Sequence, residues 1–373
     1  MKYLILCLSL LILYGCSKKD SPKIVIPIIP NPINTLLIDK YADVSAVDLY
    51  NRLATIKSKG IMVGHHETDA YGVGWSFDGV TETSDVKKVT GDMPAVFGWD
   101  LSGIDNGAGK VIDGVLVSEV TQHVKWVHAN GGINTFCWHA YNPTDGKDSW
   151  QVNNTTVKKI IPGGPNYPDF KIRVTRIAQY LKSLKDANGK SIPILFRPWH
   201  ENSGSWFWWG TSGSTPTEFK TLWQTTVKLL RDTLKVNNLI YVYSPNGVSN
   251  EADYLSRYPG DDYVDVLGFD EYYFNDQQYV DNMTRNVAII KKLGEEKNKP
   301  YAITETGYEG IKQADWFTKM LYPIVQNKGL SYMLFWRNAN ATQPYVPYVG
   351  HAAANDFKAF TDKSDILLLS KIK

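Results

Sequence analysis

Short apolar runs alternate with longer amphipathic segments along most of the chain. The apolar runs are hydrophobic on both of their alternating faces, which is typical of strands buried on both sides of a parallel sheet. The eight predicted strands are residues 60–65, 94–101, 131–138, 192–198, 239–245, 264–270, 301–305 and 330–336. Segments with the period of an amphipathic helix lie between most of them, near residues 115–129, 172–187, 217–235, 281–296 and 312–325.

Eight strands with intervening helices predict an α/β fold, a (β/α)₈ TIM barrel that forms one domain over residues 37–373. The first connection is the weakest part of this prediction, because residues 82–90 make a poor helical pattern. A doubly wound open sheet is the alternative. It is disfavoured because no Gly-x-Gly-x-x-Gly fingerprint follows any predicted strand.

Polar side chains lie at the ends of the predicted strands. In a (β/α)₈ barrel these ends converge on one mouth, where active sites are found. The residues concerned are His65, His66, Glu67, Asp100, His139, Asn142, Arg197, His200, Glu201, Asn246, Asp270, Tyr272, Glu305, Trp336 and Arg337. A polar residue at the end of one strand means little, since loops are polar in general. Polar residues at the ends of all eight strands predict a functional site.

Glu201 follows the fourth predicted strand in a segment rich in tryptophan. Trp199, Trp206, Trp208 and Trp209 surround it in the sequence. Apolar surroundings disfavour the charged form of a carboxylic acid, so Glu201 can hold its proton near neutral pH. Flat indole faces are also surfaces on which sugar rings stack. The segment therefore predicts a general acid in a carbohydrate cleft.

Glu305 ends the seventh predicted strand, which lies across a barrel from the fourth. The carboxyl groups of Glu201 and Glu305 are therefore placed to flank one glycosidic bond. Retaining hydrolysis needs one protonated and one ionised carboxyl group about 5–5.5 Å apart. The purely structural alternative is that Glu201 forms a core salt bridge with Arg197 and that Glu305 caps a helix.

The N-terminus has the pattern of a bacterial lipoprotein signal. An apolar stretch from Tyr3 to Tyr14 is too short to span a membrane. Leu13-Tyr-Gly-Cys16 looks like a lipobox, so we predict a signal peptide at residues 1–15 and lipidation of Cys16. An ordinary signal peptide is the alternative. Residues 16–36 are polar and then proline-rich, which is typical of a semi-rigid tether. We expect an outer-membrane lipoprotein, on either the periplasmic face or the cell surface.

Composition narrows the possible partners. The 373-residue chain has a formal charge of only +2 and no run of like charges, which argues against nucleic acid. Aromatic residues make up 13% of the chain, a surplus common in polysaccharide-binding clefts. Cys137 is left alone once the signal is removed and Cys16 is lipidated, so we expect a buried free thiol. His65-His66-Glu67 lacks the spacing of a zinc hydrolase, and neither a metal nor a cofactor is expected.

The segment Arg197-Pro-Trp-His-Glu201, together with the strand-ending Glu305, resembles glycoside hydrolase family 26, whose members are chiefly β-mannanases. The resemblance covers roughly residues 40–365. Most of the related barrel clan carries Asn before the acid/base residue, whereas family 26 is similar to this chain in carrying His, here His200. The resemblance implies that Glu201 is the acid/base and Glu305 the nucleophile.

The resemblance also implies the residues that contact substrate. Tyr272 would donate a hydrogen bond to Glu305, and His200 would bond near Glu305 and the sugar at the scissile position. Trp336 would form the platform under that sugar, and Trp206 would stack on the leaving-group side, with Trp208 and Trp209 as competitors for that role. The other residues implied to bind substrate are His139, Asn142, Arg197, Asp270 and Arg337. Glu271 and Tyr273 are alternatives to Asp270 and Tyr272, but strand alternation favours the latter pair.

The implied activity is retaining hydrolysis of β-1,4-mannosidic linkages in mannan, galactomannan or glucomannan by a monomer, with endo action expected. An exo-acting enzyme that releases mannobiose is an alternative, because the 142–170 segment is long enough to close one end of the cleft. A family 26 β-glucanase or xylanase is another. A surface glycan-binding lipoprotein is the non-enzymatic alternative, but a pure binder has no need of both glutamates.

Overall fold

Eight parallel strands form the centre of the computed structural model, which describes residues 36–373. They are β1 Ile61–His66, β2 Val96–Asp100, β3 Ile133–Cys137, β4 Ile194–Arg197, β5 Leu239–Tyr243, β6 Val266–Tyr272, β7 Tyr301–Gly307 and β8 Tyr332–Phe335. Each strand pairs with its neighbours in chain order, and β8 also pairs with β1. The sheet is therefore closed, and the predicted (β/α)₈ barrel is confirmed.

Helices pack around the outside of the sheet. They are α1 Val44–Ile56, α2 Asp85–Thr90, α3 Val117–Ala129, α4 Thr156–Ile160, α5 Tyr167–Ser183, α6 Pro216–Val227, α7 Glu251–Ser256, α8 Asp276–Lys297, α9 Tyr322–Val325 and α10 Ala354–Thr361. Wider π-helical turns extend α6 over Lys228–Thr233 and precede α9 over Phe317–Leu321. Within this described range, no helix has both the length and the apolar character needed to cross a membrane.

The first crossover, the weakest element of the sequence pattern, contains a helix of only six residues. Ser84 caps α2 by accepting a 2.8 Å hydrogen bond from the Lys87 amide, and Gly91 ends it with a left-handed φ of 90°. The rest of this connection is a long loop that includes a hairpin between Tyr71–Gly72 and Trp75–Ser76. The loop begins at the C-terminal end of β1, and its residues Ala70, Tyr71 and Ser76 line a pocket beside Arg337.

The predicted strands differ from the observed ones chiefly at β6 and β7, which both run two residues further. The added length pairs Glu271 with Thr306 and Tyr272 with Gly307, after a register irregularity between Phe269 and Asp270. Such irregularities bend a strand and re-aim its side chains, and they are common beside active sites. Here the longer pair carries both Tyr272 and Glu305 into the mouth.

Two glycines make room for aromatic rings near the mouth. A Cβ on Gly98 of β2 would lie 2.6 Å from His66 Nδ1, so the bare backbone lets the His66 ring lie against β2. A Cβ on Gly307 would lie 2.4 Å from Tyr345 Cδ1. Tyr345 can therefore approach the end of β7 only because residue 307 has no side chain. The predicted signal peptide, Cys16 and the tether up to residue 35 lie outside the described residues.

Candidate active site

A cleft of about 330 Å³ lies at the C-terminal end of the barrel. Eight of the residues that line it belong to the predicted site or to its named alternatives: His139, His200, Glu201, Trp206, Tyr272, Tyr273, Glu305 and Trp336. The remaining lining residues belong to the same strands or to the loops that follow them. The convergence of strand ends expected for a barrel therefore brings the two glutamates into one aromatic-walled cavity.

Glu201 projects from a sharp turn directly after β4. Both Trp199 and Glu201 have left-handed backbone, with φ of 53° and 52°. Such backbone costs a non-glycine residue about 1–3 kcal/mol, and it is found chiefly where function requires a particular side-chain direction. The Glu201 amide donates a 2.8 Å hydrogen bond to the Ser244 carbonyl, which ties the turn to the end of β5. The carboxyl group therefore points into the mouth rather than along the strand.

The environment of Glu201 favours its protonated form. Its side chain is only 8% exposed, and burial raises its pKa well above the usual range, with the charges of Glu305 and Asp270 acting in the same direction. The Trp206 indole N–H donates a 2.6 Å hydrogen bond to Glu201 Oε2 and opposes this shift only in part. A carboxylic acid held neutral beside a cleft is the starting state that a proton donor needs.

Glu305 has the opposite environment, because donors surround it. The Arg197 guanidinium forms a buried ion pair with Glu305 Oε1, and the Tyr272 hydroxyl donates a 2.7 Å hydrogen bond to Oε2. Hydrogen bonds and a positive charge both stabilise a carboxylate in its ionised form. The two glutamates therefore differ in the way that a proton donor and a nucleophile must differ.

The separation of the carboxyl groups indicates the type of chemistry. Oxygen atoms of Glu201, Asp270 and Glu305 lie within 4.8 Å of one another. Retaining glycosidases place their two carboxyl groups about 5–5.5 Å apart, whereas inverting enzymes need about 6.5–9.5 Å to admit a water. The geometry is that of a retaining pair. Arg197 bonds two of these three carboxylates, so its charge opposes a cation bound among them.

The structural alternative for the glutamates is wrong. Arg197 does not pair with Glu201; it pairs with Asp270 at 2.8 Å and with Glu305. Glu305 lies within β7 and caps no helix.

Arg197 and Asp270 lie beneath the cleft rather than on its surface. Arg197 is 2% exposed, Asp270 is fully buried, and the Thr304 hydroxyl donates a 2.6 Å hydrogen bond to Asp270. Neither lines the cleft, so the implied role of both in binding substrate is corrected to a role in holding Glu305. Glu271, the alternative to Asp270, lies on the other face of β6, where it accepts a 2.9 Å hydrogen bond from Asn282.

Two histidines form part of the cleft wall, with their ring centroids 4.6 Å apart. His139 Nδ1 lies 2.6 Å from Asp100 Oδ2; burial disfavours its charged form, but Asp100 outweighs that effect and raises the pKa of His139. His200 has no such carboxylate, and burial beside Arg197 holds its pKa well below the usual range. His200 Nδ1 has no hydrogen-bond partner among residues 36–373, and the implied bonding of His200 near Glu305 and to the sugar stays a prediction.

The tryptophans divide into cleft and core. Trp336 is half-buried, lines the cleft, and stacks on His66 with ring centroids 4.1 Å apart, which fixes its orientation. Trp206 is 37% exposed and also lines the cleft. Trp208 and Trp209 are completely buried and donate their indole N–H groups to the carbonyls of Ala140 and His200. Of the three competing tryptophans, Trp206 is therefore the one available to a ligand.

Asn142 and Arg337 are not in the cleft. Asn142 is fully buried, its amide nitrogen donates to Thr156 Oγ1 at 2.9 Å, and its oxygen accepts from Thr144. It shapes the loop after β3, and the expectation that it contacts substrate is wrong for this reason. Arg337 lies in a neighbouring pocket, where it forms a 2.6 Å ion pair with Asp113.

Several lining residues escape the sequence pattern because they belong to loops. They are Trp150, Phe207, Phe274, Glu309 and Tyr345, which follow β3, β4, β6, β7 and β8. Trp150 and Phe274 are 47% and 76% exposed, which is unusual for large apolar side chains. The one feature of the sequence that could have predicted these residues is their position, because each of them follows the C-terminal end of a barrel strand.

A closed (β/α)₈ barrel with a close carboxyl pair in an aromatic cleft at its C-terminal face defines the class of barrel glycoside hydrolases. The glycosyl hydrolase family 26 model matches residues 38–335. The chain belongs to glycosyl hydrolase family 26.

Individual relatives agree with this assignment. The chain is 32% identical to a mannan endo-1,4-beta-mannosidase of Bifidobacterium adolescentis over 91% of its own length, and it spans 36% of that longer protein. It is 28% identical to a mannan endo-1,4-beta-mannosidase of Bacillus subtilis, with 83% of this chain and 82% of that protein covered. A family 26 β-mannanase of Bacteroides ovatus has a similar structure, with a TM-score of 0.85 and 40% identity over 88% of this chain and 96% of that one.

Proposed function

We propose that this protein is an endo-acting, retaining β-1,4-mannanase, with Glu305 as nucleophile and Glu201 as acid/base. The observation that carries the mechanism is the approach of the two carboxyl groups to within 4.8 Å, with opposite surroundings for each. The sugar specificity is supported by the names of the relatives, which are mannan endo-1,4-beta-mannosidases. A glycan-binding protein without activity would not require two buried carboxyl groups this close together, one bonded to an arginine and a tyrosine and the other to a tryptophan.

The reaction proceeds in two displacements at one carbon. Glu305 attacks the anomeric carbon while Glu201 donates its proton to the departing glycosidic oxygen, which gives a glycosyl ester on Glu305. Water then enters on the side that the leaving sugar has vacated. Glu201, now ionised, takes a proton from that water, and attack on the ester releases the sugar with its original configuration. Arg197 and Tyr272 keep Glu305 charged and oriented before each attack.

Trp206 lies next to Glu201 and Trp336 lies next to the strand of Glu305, and we assign the stacking surfaces to these two tryptophans. Trp336 follows β8, next to β7 and Glu305, and is assigned to the sugar at the cleavage point. Trp206 contacts Glu201, the proton donor, and is therefore assigned to the leaving sugar. His139 and His200 complete the wall between them.

Product size tests the endo assignment. On intact linear mannan the full chain is expected to produce a series of oligosaccharides early, with a fast fall in polymer length measured by size-exclusion chromatography. Lichenan and xylan should release little reducing sugar under the same conditions. Early accumulation of mannobiose alone, with polymer length preserved, would assign the exo mode instead; in that case the 142–170 segment, which contributes Trp150, is the candidate end wall. Faster release from lichenan or xylan would overturn the mannan assignment.

We further propose that Cys16 anchors the enzyme in the outer membrane. The support is the Leu13-Tyr-Gly-Cys16 sequence and the proline-rich segment that follows it. A Cys16→Ala variant expressed from the full gene should lose labelled palmitate and leave the membrane fraction, while Cys137→Ala, which removes the buried thiol, should keep both. Equal labelling of Cys16→Ala and the parent chain would disprove the anchor. Protease treatment of whole cells distinguishes the surface from the periplasmic face.

A further inference from the structure

A second cluster of titratable side chains lies outside the cleft, between the loop after β1 and helix α3. Asp69 lies just after β1, Glu82 lies before α2, and His123 lies on α3. His123 Nδ1 is 3.2 Å from Asp69 Oδ2 and also 3.2 Å from Glu82 Oε2. The three potential ligand atoms all lie within 4.8 Å of one another.

Asp69 is the unusual member of this cluster, because it is completely buried and neither of its carboxylate oxygens has a hydrogen-bond donor among residues 36–373. The single N–H that His123 Nδ1 can carry is better aligned with Glu82, so the 3.2 Å approach of His123 to Asp69 is an ion pair without a well-aligned hydrogen bond. A buried carboxylate without donors costs several kcal/mol. The positive partner of Asp69 is the His123 ring, whose pKa burial lowers but the two carboxylates raise to about 10. Because Asp69 shares this ring with Glu82, the buried group keeps a net negative charge that a bound cation would balance.

We propose that Asp69, Glu82 and His123 bind one divalent zinc ion. Tetrahedral Zn²⁺ has ligand bonds of about 2.0–2.2 Å, so its ligand atoms lie about 3.3 Å apart, close to the two 3.2 Å distances centred on His123 Nδ1. One imidazole with two carboxylates is a ligand set that zinc accepts, with a water in the fourth position.

The surroundings of His123 are those of a metal-binding imidazole. Its other nitrogen, Nε2, faces the Glu119 carboxylate at 3.8 Å, and carboxylates in this position commonly orient the ligand ring. Trp99 stacks on the ring at 5.6 Å and Phe77 meets it edge-on at 4.4 Å. These apolar faces fix the ring plane and keep the site dry, which strengthens the attraction between an ion and its carboxylates.

The ion would fasten the long loop between β1 and α2 to the barrel wall. This loop carries Tyr71, which lines the pocket that also contains Arg337, and Glu119 borders the same pocket. The site is separate from the Glu201–Glu305 pair, so its role is to order the loop and not to take part in bond cleavage. The site is also separate from His65-His66-Glu67. Asp69, Glu82 and His123 are far apart in the sequence, so a search for short metal-binding motifs does not find them.

Zinc binding is tested on the untagged full chain after EDTA treatment and dialysis, by titration with ZnCl₂ and by elemental analysis. We expect one tightly held ion per chain and a rise in Tm of at least about 2 °C at 100-fold excess over Kd. Asp69→Asn and the more exposed Glu82→Gln should each weaken binding at least about 10-fold. Glu295→Gln, the matched control on the exposed surface of α8, removes a carboxylate far from His123 in the fold and should leave both the stoichiometry and the affinity unchanged.

Two outcomes would overturn the proposal: no stoichiometric zinc in the parent chain, or unchanged binding in both Asp69→Asn and Glu82→Gln. The first would mean that a protonated His123 balances the two carboxylates by itself. Glu82→Gln keeps the proposal testable if the Asp69 variant does not fold. Because metal content and Tm are measured without substrate, failure here is distinguishable from failure of the proposed mannanase activity.

Discussion

The Glu305→Gln variant is expected to lose turnover of every substrate, with kcat lowered by at least about 10⁴-fold on mannan and on activated aryl β-mannosides alike. Glutamine has the shape of glutamate but cannot form the glycosyl ester, and a better leaving group does not replace a missing nucleophile. Arg197 keeps its 2.8 Å ion pair with Asp270 in this variant, so we expect the barrel to fold. Steady-state kinetics on both substrates and the circular dichroism melting curve provide the measurement.

The matched control is Glu295→Gln, which makes the same chemical change on the exposed surface of α8, where Glu295 pairs with Lys291. It should leave kcat on both substrates unchanged, because exposed pairs contribute little. If Glu305→Gln, freed of contaminating activity, retained more than about 1% of kcat on either substrate, another residue would have to be the nucleophile.

The barrel could be predicted because each of its strands carries its own signal. A run that is apolar on both faces needs cover on both faces, and helices between such runs supply it. The positions of Glu201 and Glu305 followed from the same reasoning, since Glu201 follows the fourth strand and Glu305 lies near the C-terminal end of the seventh. The two-residue extension of β6 and β7 could not be predicted, because the pairing of Tyr272 with Gly307 depends on a register irregularity rather than on residue type.

The errors in the site have one physical cause: a polar residue at a strand end can face the ligand or support a residue that does. Arg197 and Asn142 are suited to bind sugar by composition, yet Arg197 is 2% exposed beneath Glu305 and Asn142 closes a loop through Thr144 and Thr156. Loop conformation decides between the two roles. For the same reason, Trp150 and Phe274 lie in the cleft although nothing in their local sequence indicates it.

The Glu201→Ala variant is expected to separate substrates by leaving group. On mannan, where the departing sugar oxygen needs a proton, kcat/KM should fall by about 10³–10⁴-fold. A dinitrophenyl β-mannobioside needs no proton, so the first displacement should remain fast while hydrolysis of the ester slows. A burst of dinitrophenolate, with the glycosyl-enzyme visible by intact mass, is the expected observation.

The pH profile gives the same variant a second readout. In the parent enzyme, burial and the nearby charge of Glu305 raise the pKa of Glu201 well above its usual value. The proton donor is therefore present at neutral pH and is lost as the pH rises through that raised pKa, which produces the basic limb of kcat/KM on mannan. The residual kcat/KM of Glu201→Ala on mannan should lack this limb, because the group that titrates is gone. Equal loss on both substrates by a folded variant, or a basic limb that persists, would show that Glu201 is not the proton donor.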